Sequence, residues 1–393
     1  MQMIPSFSLG SPAQIIFGPG RLAELGKHLL FFGTRPLLVL GRTSFTASGA
    51  FATLQKIFSE AAIPVKTVHI SAEPSPAMID AIVADQQYTD IDLIIAVGGG
   101  STLDAGKALA AMLVEGGEVG RFLEGIGTKA PSGKKLPFIA IPTTAGTGSE
   151  ATSNAVLSTV GNRGFKRSLR HTNYFANLAL VDPLLTLSCP GTLTFACGMD
   201  CYTQLVEGYL STGGCPLTDN LALEGIKHVS RALPALAENG DDLEARCAMS
   251  YGTLLSGLVL ANAGLGTVHG FAGAIGGLFA MPHGVICGSL MASTNKASLQ
   301  NLRNTAPNHP ALDKYTTLGQ MLSDQPGKSD SWYQDHFIFA LEELKNGLAI
   351  PSLRDYGVSA DDAPRIAGQT ANKNNPAKLS MEELEEILRA ESR

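Results

Sequence analysis

Charge is scarce in this sequence. Only 16% of its 393 residues are Asp, Glu, Lys or Arg, against 45% hydrophobic, so a large core is available and disorder is not indicated. The net charge of −6 comes with no long basic run, which argues against nucleic acid as a partner. No two of the six cysteines (189, 197, 201, 215, 247, 287) form a CxxC pair. A zinc ribbon or redox dithiol is therefore not expected, and the thiols read as buried or incidental groups of a reducing compartment. The N-terminal stretch lacks the basic and apolar regions of a secretory signal. Between Tyr251 and His283 there is no charged residue at all. Glycines recur there, however, beside Asn262 and His269, so two packed interior helices are expected rather than a membrane span. The expectation is a cytoplasmic protein with no membrane and no nucleic-acid partner.

Glycine, by contrast, is plentiful where it matters. The run Leu93-Ile-Ile-Ala-Val97 has the pattern of a strand buried on both faces of a parallel sheet. Gly98-Gly-Gly-Ser-Thr-Leu-Asp-Ala-Gly-Lys107 follows it. Three glycines let the backbone turn sharply and approach a ligand closely. Ser101 can cap a helix opening at Thr102, whose free N–H groups form an anion site. Asp104 and Lys107 fall one turn apart on that helix. A phosphate cradle with two charged groups beside it fits this stretch; a tight turn with surface charges would look the same. A second such stretch, Pro142-Thr-Thr-Ala-Gly-Thr-Gly-Ser-Glu150, follows the strand pattern at 137–142. It adds the hydroxyls of Thr143, Thr144, Thr147 and Ser149. Two glycine-rich loops at the carboxyl ends of two strands are what a cofactor crevice in an open α/β sheet needs.

Up to Val181-Asp-Pro183 strand and helix patterns alternate. Strands are expected at 14–17, 36–41, 64–70, 93–97 and 137–142, and helices at 21–30, 51–61, 76–86 and 102–114. This implies a parallel sheet covered on both faces. Beyond 183 long helical patterns take over, at 194–211, 217–233, 241–260 and 269–279. The fold class is thus an α/β N-terminal domain, 1–183, followed by an all-α domain, 184–393. Residues 304–332, with their prolines and polar groups, look like a loose surface excursion. Ser380-Met-Glu-Glu383 is a capping box for a final helix.

Three residues of the helical half have the character of metal ligands: Asp200, His269 in Thr267-Val-His-Gly, and His283 in Met281-Pro-His-Gly. Carboxylate and imidazole suit Zn²⁺ or Fe²⁺, and three ligands leave a position open for a substrate oxygen. Each histidine taken singly fits a satisfied core residue better than a ligand.

These pieces together resemble the iron-containing (group III) alcohol dehydrogenases, a superfamily with glycerol dehydrogenase, maleylacetate reductase and dehydroquinate synthase. The resemblance also covers Phe17-Gly-Pro-Gly, Gly198-Met-Asp200 and Ile350-Pro-Ser-Leu-Arg-Asp-Tyr-Gly357. It implies a dinucleotide-binding domain, a helical metal and substrate domain, a cleft between them, and a homo-oligomer, a dimer. It implies that Gly98, Gly99 and Ser101 hold the pyrophosphate, with Asp104, Thr143, Thr144, Thr147, Ser149 and Lys166 along the cofactor. Asp200, His269 and His283 match both metal-binding and catalytic positions. The implied activity is hydride transfer between NADP or NAD and a small alcohol or its aldehyde or ketone.

The chain departs from the family pattern twice. Gln204 stands where typical members carry a histidine ligand, and Gly273 where they carry a proton-relay histidine. Gln204 would then be a weak ligand or a hydrogen-bonding orienter. A metal-independent, maleylacetate-reductase-like enzyme and a catalytically degenerate nucleotide-binding homologue are the alternatives. A dehydroquinate-synthase-like lyase would need more basic residues than the helical half offers. After the second strand, Leu40-Gly-Arg-Thr-Ser44 contains no carboxylate to repel a 2′-phosphate, while Arg42 would accommodate one. NADP(H) is therefore the expected coenzyme, with kcat/KM measured for both coenzymes as the check; a tenfold preference for NAD(H) would overturn it.

Overall fold

The computed structural model describes residues 5–41, 45–162 and 164–392. Six strands form one parallel sheet: β1 (Gln14–Phe17), β2 (Pro36–Gly41), β3 (Lys66–Ile70), β4 (Leu93–Gly98), β5 (Phe138–Pro142) and β8 (Leu178–Val181), in the order β1-β8-β5-β4-β2-β3. The apolar runs are explained by burial on both faces. Ile94 and Ala96 of β4 enter one core with Leu37 and Val39, while Leu93, Ile95 and Val97 enter another with Leu38 and Leu40. Helices α1 (Gly26–Phe32), α2 (Gly49–Glu60), α3 (Pro76–Ala84) and α4 (Gly100–Glu115) lie between these strands in sequence.

The chain pattern did not reveal the antiparallel hairpin of β6 (Asn154–Thr159) and β7 (Phe165–Arg170). Half of β6 is polar (Asn154, Ser158, Thr159), and β7 carries Lys166, Arg167 and Arg170, so no apolar run marks them. Strand β8 is only four residues long, yet it joins β1 to β5. Directly after it, Asp182 is buried and accepts the N–H groups of Gly20, Leu22 and Leu184 at 2.9, 2.9 and 3.1 Å. A single carboxylate thus anchors the Gly-Pro-Gly turn that follows β1.

The remainder is helical: α5 (Gly191–Leu210), α6 (Pro216–Glu238), α7 (Leu243–Ala263), α8 (Thr267–Leu278), α9 (His283–Thr305), α10 (Ala311–Leu322), α11 (Asp330–Gly347), α12 (Ala363–Ala367) and α13 (Met381–Glu391). The capping box expected at Ser380 opens α13. The stretch expected to be a loose excursion, 304–332, is instead the end of α9, all of α10 and the start of α11. Its prolines and polar residues sit at the helix boundaries and outer face, while Ala311, Leu312, Tyr315 and Leu318 enter the helical core. Among the described residues no single helix is long and apolar enough to cross a membrane. Helices α7 and α8 pass such a test only jointly, and they bend by 96° at the break between them.

The sheet part and the helical part meet glycine to glycine. A Cβ built on Gly257 of α7 would lie 2.2 Å from the carbonyl oxygen of Gly148, and Gly148 itself has φ +60°. Because the obstacle is backbone, no side-chain rotation relieves it. Gly257→Ala is expected to cost about 1–3 kcal/mol through overpacking and to lower Tm. Gly273→Ala, whose new methyl has no heavy atom within 4 Å, leaves Tm unchanged or raised.

Candidate active site

The two glycine-rich loops lie side by side because β4 and β5 are neighbours in register, with Gly98 opposite Pro142. A Cβ on Gly99 would meet the Thr144 side chain at 3.3 Å, and one on Gly100 would meet Thr147 at 2.6 Å. Side chains at these glycines would push the loops apart. Helix α4 begins at Gly100 with Gly99 as its N-cap and no side-chain cap. The cap expected at Ser101 is therefore corrected: Ser101 is the second helical residue, and the turn closes two residues earlier because Gly98 and Gly99 allow it. An uncapped helix start with a glycine N-cap is an anion site made of backbone N–H groups.

The charged pair on α4 does something other than flank that site. Lys107 is fully buried at 0% exposure. Its Nζ donates to the Ser149 carbonyl (2.8 Å) and hydroxyl (3.1 Å), the Thr152 hydroxyl (2.9 Å) and the Asn154 carbonyl (2.7 Å). Asp104 Oδ1 accepts the Ser149 hydroxyl at 2.5 Å, Oδ2 accepts the Val156 N–H at 3.0 Å, and the carboxylate lies 3.8 Å from the Lys107 ammonium. Helical spacing alone placed both charges at the cradle. In the fold they face the second loop and fix its course. Burial pushes the Lys107 ammonium down to about 8.

The second loop in turn reaches the helical part. Gly146 packs on Cys197 of α5, where an added Cβ would come within 2.6 Å of the cysteine Cβ. One turn further along α5 stands Asp200. Its Oδ1 lies 3.2 Å from His269 Nε2 on α8 and 3.6 Å from His283 Nε2 at the start of α9. All three are buried or nearly so, and with Cys287 Sγ their donor atoms fall within 4.8 Å of one another.

Two features suit this group to a cation. The Nδ1 of His269 is held by Glu207 Oε2 at 2.7 Å, and Glu207 Oε1 accepts the Val268 N–H at 2.6 Å. That fixes the ring with Nε2 aimed at Asp200; despite burial, Cys287, Asp200 and Glu207 hold the imidazole well above its ordinary 6.5, so an entering cation would take the place of the Nε2 proton. Burial opposes charge on Asp200, but the imidazoles of His283 and His269 outweigh it and hold the carboxyl down at about 2. Burial also pushes His283 down to about 4, keeping it neutral, as a ligand must be. Gln204, one turn after Asp200, donates its Nε2 to Asp200 Oδ1 at 3.2 Å and accepts the Ser256 hydroxyl on Oε1 at 3.0 Å. It orients the carboxylate.

Lys166 stands on β7 away from the two loops. Its Nζ pairs with Glu73 at 2.8 Å, its Cδ lies 3.6 Å from a Cβ built on Gly276 of α8, and both charges act on His283. Lys166 thus sits on the metal-like side of the cleft. Arg42 lies outside the described residues. Sequence reasoning missed Glu207 and Cys287. Each had a signal in helical spacing: Glu207 is two turns from Asp200, and Cys287 one turn from His283.

The loop also buries Glu150, which is 1% exposed. Its Oε1 has no hydrogen-bond partner among the described residues, and burial raises the carboxyl from 4.5 to about 7. A raised carboxyl stabilises the fold while protonated. The contribution is complete below about 4.5 and is lost as pH rises through about 7, since the folded state then holds a buried charge. Glu150→Gln should therefore raise Tm by a few degrees at pH 8 and leave it unchanged at pH 5. Equal shifts at both values would refute this titration.

Family models described as iron-containing alcohol dehydrogenase and as the C-terminal part of the Fe-containing alcohol dehydrogenase family match residues 12–183 and 194–392. The chain is similar to an NAD-dependent methanol dehydrogenase of Bacillus methanolicus, with 29% identity over 96% of this chain and 97% of that protein. It is similar to a 1,3-propanediol dehydrogenase of Citrobacter freundii, with 31% identity over 95% of each. Among solved structures, an alcohol dehydrogenase from Oenococcus oeni superposes with a TM-score of 0.88 at 28% identity, covering 98% of this chain and 100% of that one.

Proposed function

The chain belongs to the iron-containing alcohol dehydrogenase family, and on that premise we propose how its own residues carry out the reaction. It is an NAD(P)-dependent oxidoreductase acting on the CH–OH group. The observation that carries the detailed reading is the convergence of Asp200, His269 and His283 across from two adjacent glycine-rich loops.

The coenzyme pyrophosphate lies at the start of α4, against Gly98, Gly99 and Ser101. Thr143, Thr144 and Thr147 line the same crevice, while Asp104 and Ser149 hold its wall through their mutual hydrogen bond. NADP(H) is the preferred coenzyme, through Arg42. Lys166, set beside His283, contributes positive charge at the inner end of the cleft. The two domains, 1–183 and 184–393, enclose the site between them, and the enzyme works as a cytoplasmic homodimer on a small alcohol or aldehyde.

Asp200, His269 and His283 hold a divalent ion, Fe²⁺ or Zn²⁺. Such an ion supplies Lewis-acid polarisation of a carbonyl oxygen and so lowers the barrier to hydride transfer. Glu207 keeps the His269 ring aimed, and Gln204 does the same for Asp200. One turn past His269 there is no second imidazole: Gly273 opens onto free space, with no heavy atom within 4 Å of a Cβ position. This chain offers no side chain there to relay a proton, and delivery to the alkoxide would fall to water or the coenzyme ribose.

Turnover of short alcohols is expected to disappear on chelation and to return with added Fe²⁺ or Zn²⁺. Glu207→Gln should weaken metal binding by about 10–100-fold, as loss of an orienting partner does, measured by competition with a chelator. Full activity in metal-free protein would overturn the metal assignment and favour a metal-independent reductase. No turnover over a broad alcohol and aldehyde panel would favour a degenerate nucleotide-binding protein.

A further inference from the structure

We infer that Cys287 is a fourth protein ligand of the metal centre and that the resulting Asp200, His269, His283, Cys287 set selects zinc over iron. This rests on the metal site proposed above and adds a ligand to it. Cys287 lies on α9 one turn after His283, is fully buried, and faces the other donors from nearly equal distances. Its Sγ is 3.7 Å from Asp200 Oδ1, 3.8 Å from His269 Nε2 and 3.9 Å from His283 Nε2. The edges from Asp200 Oδ1 to the two imidazoles are 3.2 and 3.6 Å. Zinc bonds of about 2.0–2.1 Å to N or O and about 2.3 Å to S, at tetrahedral angles, place donor atoms roughly 3.3–3.6 Å apart. Each of these five edges lies within a few tenths of an ångström of those values, and all four donor atoms lie within 4.8 Å of one another, so a modest closing of the set would surround one ion.

The fate of Gln204 explains why the fourth donor comes from this position. The Gln204 amide nitrogen has no lone pair for a metal, and it is the nitrogen that faces Asp200. The amide oxygen is turned to the Ser256 hydroxyl. Helix α5 thus supplies one ligand, and α9 supplies two, spaced i and i+4 on one face. Sγ binds as thiolate, its proton passing to solvent as the ion enters. Thiolate is a soft donor that suits zinc, and zinc also stands above ferrous iron in the general order of affinity. With four protein ligands a tetrahedral centre has no vacant position, so a substrate oxygen would have to enter as a fifth donor, a coordination number that zinc reaches in transition states.

The test uses full-length protein stripped of metal and reloaded with Co²⁺. Expected is one cobalt per chain with an intense near-ultraviolet thiolate-to-cobalt charge-transfer band. The band should vanish in Cys287→Ser and Cys287→Ala and persist in Cys201→Ser. X-ray absorption of the unmutated zinc protein, which needs no variant to fold, should show one sulfur at about 2.3 Å. Zinc affinity should fall in Cys287→Ser by more than the roughly 10–100-fold caused by losing an orienting partner, with iron affinity changing less. Bound cobalt without the band, or a band that survives Cys287→Ser, would overturn the cysteine ligand and leave the three-ligand site standing. Failure of the unmutated protein to take up cobalt or zinc at all would overturn both.

Discussion

The ammonium of Lys107 is the interaction on which the rest of the site depends. A charge at 0% exposure must be paired and fully hydrogen-bonded or it would cost many kcal/mol. Here Asp104 supplies the countercharge, and oxygens of Ser149, Thr152 and Asn154 take the N–H bonds. Meeting that requirement dictates the path of the chain from the end of the second glycine-rich loop into β6. The loop so placed lies against the first loop at Gly99 and Gly100, against α7 at Gly257, and against α5 at Cys197. One buried lysine thereby sets the groove between the two loops and seats it on the helix that carries Asp200.

Across the crevice the logic is one of convergence. Helices α5, α8 and α9 each aim side chains at one point. Their aim is held from behind: Glu207 fixes the His269 ring while also accepting the Val268 N–H, and Gln204 spans from Ser256 to Asp200. These partners explain how a chain with glutamine at 204 keeps an ordered centre. The amide became part of the support, and the thiol of Cys287 came to face the donors. At Gly273 the opposite holds: a position without a side chain leaves open space one helical turn past His269.

Much of this could be seen in the sequence, and the rest could not, for identifiable reasons. Strand β4 is unmistakable because burial on both faces demands an unbroken apolar run. The hairpin of β6 and β7 is invisible because polar residues interrupt one strand and basic residues the other, leaving no apolar run. Helix α10 is obscured by flanking prolines, of which Pro310 stands at its start, where proline is tolerated, and the others lie in the connections. Ser101 was assigned a cap because serine favours that position, yet paired glycines before it let the helix begin sooner.

By itself the sequence determined the order of strands and helices, the change of character near 183, the two glycine-rich loops, and the identity of Asp200, His269 and His283 as groups with metal chemistry. Those features are local, since period, turn residues and donor type are all written along the chain. Only the tertiary structure decided that Lys107 and Asp104 brace the second loop, that Glu207 holds His269, that Gln204 turns its oxygen to Ser256, and that Cys287 joins the donors. Each of these depends on which faces of distant elements meet. Helical spacing states which residues share a face, but only packing states what that face confronts.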